Sequence, residues 1–210
     1  KPGDLPFGVL GPRDRMVHCV STYRLIIPCY PTTPLLHGTY QWRRIIVMRQ
    51  VKLTLRPANN QELAFCESLT RSNMSAYLAT RKIPWDTARF VASWAEFENL
   101  LIMANSQVVG LLRLLPEQDA MGLRDIQLVP EQQGYGVGSW AIQQAQAIAA
   151  SRGFQMLQLR VYEENPAKAL YARLGFKIQS SVDGTIQMVC ELPPNQALKL
   201  ADFSSHLVLR

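Results

Sequence analysis

Gln133-Gly134-Tyr135-Gly136-Val137-Gly138 sets three glycines in alternation just ahead of a helical run, Ser139 to Ser151. Few sequences constrain a fold more. Glycine tolerates positive φ and has no Cβ, so successive N–H groups of such a loop can turn toward one centre. The helix that follows adds the positive end of its dipole. The loop is therefore a strand-to-helix junction shaped for an anion, with phosphate or pyrophosphate as the natural guest. A tight connection with no ligand is the simpler reading, but alternating glycines exceed what a turn requires. A dinucleotide on a Rossmann fold is the competing ligand. Its fingerprint is GxGxxG after the first strand of a βαβ series. Here the spacing is GxGxG, and strands without crossover helices precede it. Glu163 mimics the ribose-binding acid only loosely, lying further from the loop than the usual ~20 residues.

The elements around the loop follow from apolar periodicity. Val51, Leu53 and Leu55 alternate with polar residues, as in a strand. Asn59 and Asn60 can cap a helix through Leu63, Cys66 and Leu69, and Asp86 starts another carrying Phe90, Val91, Trp94 and Phe97. Leu100–Ala104 and Val108–Leu115 flank the turn signal Asn105-Ser106-Gln107 and form a hairpin. Met121–Val129 is the next strand, leading into the glycine loop. Leu157, Leu159 and Val161 mark another after the helix. Pro166 opens a short helix to Leu174. Phe176–Ser180 and Thr185–Glu191 close the fold across Asp183-Gly184. The predicted order, β-α-α-β-β-β-α-β-α-β-β, is an α+β fold: a mixed, mainly antiparallel sheet flanked by helices.

Residues 1–47 read differently. They hold 6 of the 13 prolines and show no sustained period. The chain begins with Lys1, while Met48 opens a segment resembling a domain start. The expectation is an N-terminal extension over 1–47, disordered or outside the functional fold, a domain over 48–192 and a tail over 193–210. The formal net charge of +6 invites nucleic acid as a partner. Its distribution argues otherwise: residues 1–50 carry 7 Lys+Arg against 2 Asp+Glu, and the remainder 15 against 14. The basic excess belongs to the leader. No apolar run approaches the roughly 20 residues of a membrane span. Cys19, Cys29, Cys66 and Cys190 are scattered, as are His18, His37 and His206, which suggests no metal site, no disulfide framework and a cytoplasmic setting.

The element order, the Gln133-x-x-Gly136-x-Gly138 loop and the stretch Asn165-Pro166-Ala167-Lys168-Ala169-Leu170-Tyr171-Ala172-Arg173-Leu174-Gly175-Phe176 together resemble the GCN5-related N-acetyltransferase (GNAT) family. The resemblance spans roughly residues 51–190. It implies the acyl-CoA N-acyltransferase fold, with acetyl-CoA as donor and a small-molecule or peptide amine as acceptor. It also implies a bulged strand that splays from its parallel neighbour, here Met121–Val129 from Gln155–Val161. In that wedge the backbone of Leu128 and Val129 meets the pantetheine arm. Gln133, Gly134, Tyr135, Gly136, Val137, Gly138 and Ser139 cradle the pyrophosphate, Asn165 bonds the cofactor, and Tyr171 points at the sulfur.

The chemistry needs a base for the amine, a donor for the oxyanion and an exit for the thiolate. A backbone N–H near Leu128 can serve the oxyanion. Tyr171 is the candidate acid, or else a core aromatic. Asp125 is the first candidate base, or else an exposed partner of Arg124 or Arg113. Glu163 and Glu164 are further candidates. An unshifted Asp near 3.9 is feeble against an ammonium near 10, so it needs burial or a water chain. Trp85, after Pro84 in a loop, is the better lining for an acceptor pocket, while helical spacing favours core packing for Trp94 and Phe97. Arg81, Lys82 and Arg89 form a solvated face or steer an acidic acceptor. No cysteine stands at the loop or beside Tyr171, which points to direct transfer rather than an acyl-enzyme. The expectation is a cytoplasmic N-acetyltransferase, monomer or homodimer, without metal, nucleic acid or membrane as partner. A non-catalytic acyl-CoA sensor is the alternative.

Overall fold

The computed structural model describes residues 21–25 and 49–193. The elements run β1 (Ser21–Leu25), β2 (Arg49–Pro57), α1 (Leu63–Thr80), α2 (Thr87–Glu96), β3 (Glu98–Ala104), β4 (Gln107–Pro116), β5 (Met121–Leu128), α3 (Val137–Ser151), β6 (Met156–Tyr162), α4 (Ala167–Arg173), β7 (Lys177–Val182) and β8 (Thr185–Glu191). The described strands form one sheet in the order β1-β2-β3-β4-β5-β6-β8-β7. Every neighbouring pair is antiparallel except β5 with β6. From β2 onward the succession of elements along the chain is the one predicted. β1 pairs with Arg49 to Leu53 and lies within the stretch assigned to an N-terminal extension. The rest of that stretch, with Cys19, Cys29, His18 and His37, and the tail from 194, with His206, are outside the described residues.

Local chemistry sets the boundaries. Asn59 opens a single 3-10 turn, Asn60–Glu62, rather than α1 directly. Its Oδ1 accepts from Gln61 N at 2.9 Å while Glu62 Oε2 accepts from Asn59 N at 2.9 Å, a reciprocal cap. Asp86 caps α2 by accepting from Arg89 N. The β7–β8 turn takes positive φ at both Asp183 and Gly184, matching the twist of a two-residue hairpin.

β7 is exposed along its length, whereas the central strands are covered on both faces. On one, α3 presents Val137, Ala141, Ala145 and Ala149, whose short side chains let the helix settle close to β5 and β6. On the other, Cys66 of α1 and Phe90 and Trp94 of α2 pack against Leu101 and Leu111. Cys66 and Cys190 are both buried and unpaired, as small core side chains. Among the described residues no helix is long and apolar enough to cross a membrane.

Candidate active site

The strand before the glycine loop loses contact with its parallel neighbour almost at once. Register between β4 and β5 slips at Arg113/Leu114, so that Arg113 faces Asp125 and Leu114 faces Leu123, with Arg124 as the extra residue. Such a bulge bends the strand that carries it. Met121, Gly122 and Leu123 pair with Leu157, Gln158 and Leu159 of β6, and the pairing of the two strands ends there. From that point β6 continues along β8 as far as Tyr162. The sheet therefore opens into a wedge, part of a cleft of about 650 Å³.

Because the sheet is split there, groups from both of its faces reach the same space. Thr70 of α1, Asp125 of β5, and Asn165 and Tyr171 from the α4 side all line the cleft. Asp125 is half-buried and sits within a polar chain. Thr70 Oγ1 donates to Asp125 Oδ2 at 3.3 Å and Gln127 Nε2 to Oδ1 at 2.7 Å. Asn73 Nδ2 donates to Gln127 Oε1 at 2.9 Å and to Leu128 O at 3.0 Å. Burial pushes the Asp125 carboxyl above the usual carboxylate range, against the opposing pull of Gln127 and Arg113. Tyr171, edge-on to Phe176 at 5.8 Å, is pushed up to about 12 by burial and by the Asp125 charge.

The loop behaves as an open cradle. Gly134 and Gly136 take φ of 80° and 85°. Gly136 caps α3 with no side-chain bond. Among the described residues the N–H groups of Gly134, Tyr135, Gly136, Val137, Gly138 and Ser139 find no acceptor. A Cβ at Gly134 would meet nothing within 4 Å, so its glycine serves conformation rather than crowding. A row of free amides at a helix start fits a pyrophosphate. Gln133 is exposed and reaches back to the strand, its Nε2 donating to Leu128 O at 3.0 Å.

The structure sorts the remaining predicted residues. Val129 is engaged within the protein, its N–H on Val109 O and its carbonyl under Gln132 N–H. Leu128 O already accepts from Asn73 and Gln133. The Val129–Val109 bond sets the antiparallel alternation and turns the Leu128 N–H away from β4, toward the wedge. Asn165 Oδ1 accepts from Ala167 N at 2.9 Å, capping α4 and leaving its amide nitrogen to the cleft. Glu164 is bound by Arg81 Nη2 at 2.8 Å, and neither it nor Glu163 lines the cleft. Trp85 lines it, held by Nε1 donating to Glu67 Oε1 at 3.0 Å. Trp94 is core, and Phe97, expected there too, lines the cleft instead. Thr70, Asn73 and Gln127 escaped the sequence reading. Their one signal was polarity on otherwise buried faces of α1 and β5.

A bulged strand splayed from its parallel neighbour, ending in an amide cradle at a helix start, defines an acyl-CoA N-acyltransferase fold. The Acetyltransferase (GNAT) family matches residues 63–176, more than half of the chain, and the chain belongs to that family. A [ribosomal protein bS18]-alanine N-acetyltransferase of Haemophilus influenzae is 30% identical over 95 residues, 45% of this chain and 65% of that protein. The matched region thus spans just under two thirds of that relative's length. Among solved structures, a PaiA N-acetyltransferase of Thermoplasma acidophilum in complex with coenzyme A superposes with a TM-score of 0.55 at 17% identity, over 66% of this chain and 98% of that one. The ribosomal-protein-S18-alanine N-acetyltransferase of Escherichia coli gives 0.52 at 21%, over 67% and 94%. At these identities the structural likeness concerns the fold.

Proposed function

We propose that the protein is an acetyl-CoA-dependent N-acetyltransferase that acts on a primary amine by direct attack. The observation that carries this is the wedge: a strand edge left unpaired beyond Leu123, running straight into the open amides of Gly134 to Ser139. An extended pantetheine arm fits such an edge as an added strand does. Its pyrophosphate fits the cradle, and Asn165 lies where its free amide nitrogen can donate. The donor then supplies a thioester at the level of Asp125 and Tyr171.

The residues divide the work. Asp125 accepts the proton of the incoming ammonium, directly or through water, and its raised pKa makes it a better base than an exposed aspartate. The Leu128 N–H stabilises negative charge on the acyl oxygen. Tyr171 keeps its proton at every physiological pH, since its pKa is about 12. Handing that proton outright to a thiolate of ordinary pKa about 8.5 is uphill by roughly 5 kcal/mol. Its contribution is therefore a hydrogen bond to the leaving sulfur. Direct attack is supported by the cysteines among the described residues: Cys66, pushed up to about 12 by burial, and Cys190 both stay outside the cleft lining. Their free, buried state suits a cytoplasmic setting.

Acetyl-CoA at 100 times its Kd should stabilise the fold by ~2.7 kcal/mol, read as a thermal shift. Free CoA should then appear when amines are added. No shift would overturn the proposal. A shift without turnover over a broad amine panel would make the protein a sensor of acyl-CoA.

A further inference from the structure

Arg113 is a buried charge for which the acetyl-transfer chemistry has no use. It projects from β4 on the α1/α2 side and is 3% exposed. Nε donates to Asn99 Oδ1 at 2.9 Å and Nη2 to Ser93 Oγ at 2.8 Å. The guanidinium carbon lies 4.6 Å from the ring centres of both Phe90 and Phe97. Neutral acceptors and aromatic faces thus fix the group without cancelling its charge. Nη1 has no hydrogen-bond partner among the described residues and is not sealed from solvent, and Arg113 lines the cleft.

The nearest opposite charge in register is Asp125, its cross-strand neighbour. Among the described residues the two form no ion pair. Burial pulls the Arg113 guanidinium below its usual range and pushes Asp125 above its own, outweighing the attraction between the two. Leaving a buried guanidinium without a carboxylate is costly. Arg124, which shares the cleft, differs in being engaged by Glu117. A fixed, desolvated guanidinium with an open N–H is how proteins hold carboxylates with directional hydrogen bonds.

We propose that Arg113 is a carboxylate-recognition site in the acceptor cleft, so that the acceptor is an amine bearing a carboxylate a few bonds away. Cross-strand neighbours sit about 5 Å apart at Cα. An ammonium facing Asp125 and a carboxylate facing Arg113 therefore belong to one compact zwitterionic unit. A free amino acid supplies it, and so does a peptide N-terminus with an acidic first side chain. This rests on the N-acetyltransferase reading.

The test measures kcat/KM by CoA release for matched acceptors: amino acids against their amides, and peptides beginning with Asp or Glu against Asn or Gln. One charge-assisted hydrogen bond predicts a preference of about tenfold to a hundredfold for the carboxylate forms. The amino-acid and peptide arms tell the two sources apart. Arg113→Gln should collapse that ratio toward one, and Arg113→Lys should restore part of it. Equal kcat/KM for carboxylate and amide forms in the wild type overturns the proposal. So does a Gln variant that slows both forms alike and shifts the pH profile, since Arg113 would then act only through Asp125. If no acceptor turns over, calorimetric titration of the CoA-bound protein with the same pairs still decides the carboxylate preference. Failure of acetyl-CoA to shift the melting temperature would instead remove the acetyltransferase reading itself.

Discussion

Ionising Asp125 costs the fold free energy, because burial outweighs the groups that favour its charge. A carboxyl whose folded pKa is raised contributes its stability below the unfolded value of about 3.9 and loses it as pH rises through the folded value. Asp125→Asn should therefore melt higher than wild type near neutral pH, with the gap closing as pH falls toward that of a free aspartate. The same substitution should slow transfer and remove the acid limb of the kcat/KM profile. A variant with lower stability at neutral pH and an intact acid limb would refute both statements. Tyr171→Phe should slow turnover about tenfold, the worth of one hydrogen bond to a developing thiolate, roughly 1.5 kcal/mol. An unchanged kcat would take Tyr171 out of the mechanism. Asp125 was legible as a charge on the strand before the loop. Its burial was not, because that depends on Thr70 and Gln127 arriving from the helix and the same strand face. Arg113 offered a plainer hint, one charge inside the apolar run Val108–Leu115.

The join between α1 and α2 is tied down by one side chain. Arg81 Nε and Nη2 donate to the two carboxylate oxygens of Glu164 at 3.0 and 2.8 Å. Nη1 and Nη2 also donate to the carbonyls of Asp183 and Gly184 at 3.1 and 2.7 Å. Its guanidinium carbon lies 4.1 Å from the Tyr162 ring centre. The clamp holds the segment bearing Ile83, Pro84 and Trp85 against the end of β6 and the β7–β8 turn, beside the cleft. Arg81→Ala should raise the acceptor KM more than it weakens acetyl-CoA binding, since the clamp's partners lie outside the glycine cradle and only Glu164 neighbours a cofactor-facing residue, Asn165. Equal losses for both ligands would contradict that division. Sequence reasoning left Arg81 either on a solvated face or steering an acceptor. It could not do better, because the hydrogen-bond partners lie 83 to 103 positions away in the chain. The elements themselves were readable from capping and periodicity, which are local.

Seen whole, the molecule places the proposed site in the middle of the sheet and β1 at one edge. β1 is separated from β5 by β2, β3 and β4. A chain starting at Met48 should thus retain the acetyl-CoA thermal shift and turnover. It should melt lower, because the outer edge of β2 loses its partner. Loss of the shift would bring residues 1–47 into the functional fold. The succession of elements was legible because it follows from turn signals and apolar periodicity, whereas the place of β8 between β6 and β7 depends on long-range pairing. The wedge became visible only through the resemblance; the bulge at Arg124 leaves one trace in the sequence, a change of parity in the apolar alternation from Met121 and Leu123 to Ile126 and Leu128. That wedge has a mechanical consequence. A seam three residues long, Met121 to Leu123 on Leu157 to Leu159, joins a five-stranded plate to a three-stranded one. The two plates share little backbone bonding, so the seam should be the softest line in the protein. An extended ligand laid along β5 would bridge them as a ninth strand, and slower deuterium uptake at the Leu128 amide would report the stiffening.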